Sequence, residues 1–214
     1  KWYNIVVQVN TTESTSTNRI KVYVDGDQVT SWYRSNAPSQ DYDTQVNATV
    51  LHNIGRYTGA TSNNLDAYLA EFNFVDGSIV APSTFGVTDT STGRWVPKSL
   101  TGITYGTNGF RMEYANSAGQ TIGDDTSGNT NDLSLNGIGT DHIKNDTPTN
   151  NLPTMIAYDP ALGEDFLSEG GTRIRYSGTN VGYPFTATLT PDSGKWYAEV
   201  RSYDDGGGSV VTPG

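Results

Sequence analysis

Tight-turn pairs recur along this chain, and between them run short segments of β-branched and aromatic residues with no helical periodicity longer than two turns. Asp25-Gly26, Asp76-Gly77, Thr92-Gly93, Asn108-Gly109, Ser127-Gly128 and Asn136-Gly137 each place a glycine, free to adopt left-handed backbone, after a short polar residue. Turn signals every ~8–15 residues leave room for strands and not for helices, which points to a β-sandwich or barrel. Composition decides one further question. The chain has 24 Gly, but 13 Tyr, 4 Trp and 6 Phe are spread along it, which separates it from a disordered Gly/Ser/Asn-rich polypeptide.

The clearest elements follow from that pattern. Trp2 to Val9 reads as a strand covered on both faces. Arg19-Ile20-Lys21-Val22-Tyr23-Val24 alternates up to Asp25-Gly26, with Gln28-Val29 starting the return strand of a hairpin. Thr49 to Gly55 and Leu65 to Val75 read as further strands, the second with Tyr68, Ala70, Phe72 and Phe74 at period two. Val22, Val24, Phe72 and Phe74 are the expected core. Gly109 to Ala115 is the clearest strand of the following stretch, with Phe110, Met112 and Tyr114 on one face. Asn145 to Pro153 pairs poorly, because Pro148 and Pro153 lack donors. The expected division is therefore a domain over 1–152 and a linker with the start of a second β segment over 153–214, where Ser193 to Val200 is the clearest strand.

Charge and residue types remove several function classes. The 214 residues carry 13 Lys+Arg against 23 Asp+Glu, a net charge of −10, and no two basic residues are adjacent, so no nucleic-acid partner and no anionic membrane surface is expected. With no cysteine, thiol catalysis and zinc-thiolate sites are excluded. No apolar run of ~18 residues is present, so no membrane insertion by a helix is expected. Lys1-Trp2-Tyr3-Asn4-Ile5 already has strand character, which suggests a start in mid-domain.

Four segments taken in order carry a resemblance: Lys1-Trp2-Tyr3-Asn4-Ile5-Val6, the hairpin Arg19 to Gly26, Asn53-Ile54-Gly55, and Leu69-Ala70-Glu71-Phe72-Asn73-Phe74-Val75-Asp76-Gly77. Together they resemble the second half of a laminin-G-like domain of the concanavalin A-like lectin/glucanase superfamily. The continuation through Gly93-Arg94-Trp95-Val96-Pro97-Lys98, Tyr105 to Phe110, Gly123 to Asn131 and Asp146 to Asn151 is similar to a version found in structural proteins of tailed bacteriophages. Ser193 to Val200 resembles the opening strand of a SPRY-like domain. The resemblance implies an all-β jelly-roll sandwich, N-terminally incomplete and followed by a short second β segment. It also implies a virion or extracellular location, as in a tail fibre, spike or decoration protein.

Candidate site residues fall into two groups. Exposed aromatic rings beside amide, carboxylate and guanidinium groups suit sugar faces and hydroxyl edges, which selects Trp32, Tyr33, Arg34, Asn36 and Tyr57 as a contact patch for a host glycan or a neighbouring subunit. Hard oxygens at close spacing select Asp124, Asp125, Asn129, Asn131 and Asp132, with Ser127 between them, as a calcium loop whose spacing is not that of an EF-hand. Asp41, Asp43 and Asn47 form a weaker set of the same kind. In both acidic sets the competing reading is a turn whose side chains cap their own backbone.

No catalytic residue is assigned. The retaining glycosidases of the superfamily carry paired carboxylates on one strand, and no Glu-x-Asp-x-Glu triplet occurs; Glu71 and Glu113 read as solvated carboxylates. His52 reads as a packed imidazole, and neither it nor His142 lies near a nucleophile elbow. The expectation is a non-enzymatic virion component, homo-oligomeric, needing no cofactor and with calcium as the one candidate ion, whose partners are other virion subunits or a host cell-surface glycan. The alternative is a polysaccharide hydrolase or lyase whose catalytic strand lies outside this sequence.

Overall fold

The protein is described from a computed structural model, which defines residues 2–33, 36–57, 64–144, 146–150, 152–157, 167–168, 171–174, 185–187, 193 and 195. Their regular structure is strand apart from 3₁₀ turns, of which Ser16–Asn18, Pro82–Thr84 and Thr140–His142 lie wholly within the described residues. Every strand pair is antiparallel. The chain divides into two compact units, Lys1–Thr149 and Asn150–Gly214.

The first unit opens with a three-stranded sheet in the order β1-β2-β3, where β1 is Ile5–Val9, β2 is Ile20–Val24 and β3 is Asp27–Gln28. Val24 pairs with Asp27, which leaves Asp25 and Gly26 as a two-residue loop with φ of 52° and 89°. Positive φ at both positions matches the right-handed twist of the strands it joins, as the Asp-Gly pair requires. Between β1 and β2, Arg19 is only 9% exposed and donates to the carbonyls of Glu13, Ser14 and Pro38 at 2.8–2.9 Å. A guanidinium can be buried there because three acceptors replace its water.

The register of β1 against β2 sets Ile5 opposite Val24, Val7 opposite Val22 and Val9 opposite Ile20. Across β1 and β2 one face of this sheet is thus aliphatic, with Asp27 of β3 opposite Val24 at its edge. Ile5 is 65% and Val7 58% exposed on it.

A second sheet joins β4, Phe72–Phe74, to β7, Phe110–Met112. Phe110 stacks on both Phe72 and Phe74, with ring centroids 5.7 and 5.6 Å away, and each such pair contributes about 1 kcal/mol beyond area burial. Met112, fully buried, lies opposite Phe72; with Tyr105 and Ile122 it makes up the buried apolar core among the described residues. Val22, Val24, Phe72 and Phe74, expected as the core, are half-buried. The third pair is β5, Gly86–Thr88, with β6, Trp95–Pro97.

Three expected strands are absent or shortened. Residues 49–55 form bends and irregular backbone, with Val50 51% and Leu51 74% exposed. Local bonds take the backbone there instead, Ala48 N–H to Gln45 O and Val50 N–H to Ala48 O. The period-two pattern from Leu65 becomes a ladder only at Phe72, because Leu65, Tyr68 and Leu69 stay about half exposed and Glu71 adopts φ 60°, which breaks an extended run. The strand Gly109 to Ala115 likewise stops at Met112, two residues before Tyr114 at φ 53°.

In the second unit β8, Met155–Ala157, pairs with β11, Phe185–Ala187, and β9, Leu167–Ser168, pairs with β10, Arg173–Ile174. These are more strands than the one or two that the sequence suggested. Nearly all of the expected strand Ser193 to Val200 lies outside the described residues.

Candidate functional site

The aromatic patch expected at 32–36 follows β3. Trp32 is 46% and Tyr33 96% exposed, and Asn36 is exposed; Arg34 lies outside the described residues. Tyr57 is 69% exposed, but among the described residues no ring contact or hydrogen bond joins it to Trp32. Trp95 is a packing residue: its indole lies against the α-carbons of Gly86 and Gly26.

The acidic loop is engaged with its own protein. Asp125 Oδ1 accepts the N–H groups of Arg111 and Ser127, each at 2.8 Å, while Oδ2 accepts the Ser127 hydroxyl at 2.9 Å and Asn131 N–H at 3.0 Å. Burial pushes the Asp125 carboxyl up, and these four bonds outweigh it, holding the group below the usual carboxylate range. Asp124 is lowered chiefly by the hydroxyl and N–H of Thr121, and Asp132 Oδ1 accepts Asp125 N–H at 2.8 Å. Asn129 and Asn131 donate to the carbonyls of Gly106, Thr107 and Gly109. The cluster named for calcium is therefore a plug of Asx-type turns that fastens residues 121–132 to 106–111. Among the described residues no group of three or more His, Asp or Glu side chains is placed to hold a metal. In the weaker set, Asn47 donates to Asp76 Oδ1 at 2.7 Å.

Glu71 and Glu113 are not merely solvated carboxylates. Arg111 Nη2 stands 2.6 Å from Glu71 Oε1 and 2.8 Å from Glu113 Oε1, and its Nε donates to the same Glu71 oxygen at 2.7 Å. Extending the register of β4 and β7 sets Glu71 opposite Glu113, so Arg111 bridges two like charges on one face of the sheet and offsets one of them. On that face Tyr105 donates its hydroxyl to Asn73 Oδ1 at 2.6 Å. Burial pushes the Tyr105 phenol up, with Glu71, Asp125 and Glu113 adding to the rise against Arg111. His52 is exposed rather than packed, with its two ring nitrogens 2.7 and 2.9 Å from the carbonyl oxygens of Val50 and Gln45.

The feature that sequence reasoning missed is a groove of about 380 Å³, at the small end of the range of ligand-binding clefts. Residues 4–9 form one wall and 71–80 another, with Thr44, Val46, Asn47 and Phe85 completing it. No residue of β2 or β7 lines it, so the groove runs along the outer edges of β1 and β4 and not over a sheet face. Its lining holds two carboxylates, Glu71 and Asp76, and no Lys, Arg or His. That Trp2 to Val9 holds a strand was legible in the sequence, but it was expected to be covered on both faces; the exposure of Ile5 and Val7, and which edge stays open, depend on partners distant in the chain.

No family model, curated protein or solved structure matches the chain.

Proposed function

We propose that the chain is a non-enzymatic structural or adhesion component of a tailed-phage virion, built on a laminin-G-like jelly-roll sandwich, that works by surface contact with neighbouring subunits or a host glycan. The observation that carries this reading is the aliphatic face of β1 and β2, where Ile5 and Val7 remain more than half exposed. Contiguous exposed aliphatic side chains on a sheet mark contact surfaces, because each contributes little to solubility and gains free energy only when covered. The resemblance to phage structural proteins supplies the virion setting, and a symmetric homo-oligomer fits it. Among the described residues no helix is long and apolar enough to cross a membrane.

The test is incubation of the purified protein with mixed bacterial polysaccharides, followed by measurement of reducing ends and of unsaturated sugar products. Contact function predicts neither. Release of either product above the level of a heat-denatured control would overturn the reading in favour of the hydrolase or lyase alternative.

A further inference from the structure

We infer that the groove between β1 and β4 receives an extended strand from a different polypeptide, neutral or basic in charge, with aliphatic residues at alternate positions. This rests on the contact reading above and specifies the partner. The first support is the phase of the backbone hydrogen bonds. Asn10 N–H donates to Arg19 O and Asn4 O accepts Asp25 N–H, so the even-numbered residues of β1 bond to β2. In an antiparallel ladder the intervening residues then turn their N–H and C=O groups to the opposite edge. Ile5, Val7 and Val9 thus direct their main-chain donors and acceptors outward, into the groove.

The facing wall has the same character. Arg111 N–H is taken by Asp125 Oδ1, and Arg111 O by Thr126 N–H. The β4–β7 bonds therefore run through Phe72 with Met112 and Phe74 with Phe110, and Asn73, opposite Arg111, turns its main-chain groups outward. Two unpaired edges flanking one groove provide what an added strand needs: main-chain bonds for affinity and alternate side-chain sites for selection.

Charge selects the occupant. Asp76 and Glu71 line the groove; Arg111, which pairs with Glu71, is shared with Glu113 and offsets only one of those two carboxylates, no basic side chain is among the lining residues, and the chain itself carries −10. A second copy would bring like charge to an acidic groove, whereas a neutral or basic strand meets complementary potential.

The experiment titrates the full 214-residue chain with a capped nonapeptide that alternates valine and threonine and ends in lysine on both sides. Amide hydrogen exchange, read residue by residue, should slow about tenfold or more at Val7, Val9 and Asn73 and stay unchanged along β2. The same peptide N-methylated at alternate amides should lose this protection, and a glutamate-ended version should bind about fivefold more weakly or worse. Val7→Pro, which removes one outward N–H from an edge strand, should weaken binding about tenfold while β2 exchange reports an intact fold. Unchanged exchange at the three amides with millimolar peptide would overturn the strand site. So would equal binding of the N-methylated peptide. A dimer in sedimentation that the peptide displaces would overturn the assignment to a different polypeptide. Sugar release would sink the contact reading alone, and failed protection would sink the strand site alone.

Discussion

The indole of Trp95 occupies the space that a β-carbon on Gly86 would need, with Trp95 Cζ2 and Cε2 lying over the glycine of the neighbouring strand. Trp95 Nε1 is buried without a hydrogen-bond partner, a cost the ring bears because its carbon framework packs between Gly86 and Gly26. The β5–β6 pair is thus joined to the β2–β3 turn through one side chain.

Gly86→Ala is expected to destabilise the first unit by about 2 kcal/mol, the range for forcing an extra carbon into a filled site. Urea unfolding followed by tryptophan fluorescence measures it. A midpoint equal to wild type would mean that the ring moves aside freely and the contact fixes nothing.

Asp125 should give the chain an acid-sensitive limb. Its folded pKa lies below the ordinary value of about 3.9. Its stabilisation is therefore fully present above that value and is lost as pH falls through the lower folded value. Asp125→Asn should cost about 2 kcal/mol at neutral pH through weakened bonds to Arg111, Ser127 and Asn131. The gap between variant and wild type should narrow as pH falls below the ordinary carboxylate range. Parallel stability curves across that range would show that the charge on Asp125 contributes nothing.

The hairpin from Ile20 to Gln28 was legible because alternation and a turn pair both lie within a few residues, so local chemistry decides it. Thr49 to Gly55 carried equal strand propensity and formed none, because a strand exists only with a partner and none of the described strands reaches it. Arg19 sits at a polar position of an alternating run. It is buried because the loops at 13–14 and 38 bring carbonyls to it, which no local pattern encodes. The acidic loop shows the same limit at the level of chemistry. Oxygen donors at close spacing suit a cation and an Asx turn equally, and only the amides that face Asp125 reveal its use here.

Calcium is expected to leave the melting temperature unchanged. A cation at this loop would compete with N–H and hydroxyl donors already bound to both oxygens of Asp125 and of Asp124, exchanging existing bonds for new ones. Scanning calorimetry with millimolar calcium and then with EDTA checks this. A reversible rise with calcium would reinstate Asp124, Asp125, Asn129, Asn131 and Asp132 as ligands.

Trp32 separates contact from packing. With 46% of its surface exposed, Trp32→Ala removes a ring that the fold only half covers, so the stability change should stay within about 1 kcal/mol. A ring at the centre of a contact surface carries about 2 kcal/mol or more of binding, a loss of about thirtyfold in affinity. Particles or host cells that bind the protein should therefore bind the variant more weakly by that factor while its unfolding midpoint barely moves. The reverse pattern, a large fall in midpoint with unchanged binding, would assign Trp32 to packing within the first unit and leave the contact surface to the strand groove and the aliphatic face beside it.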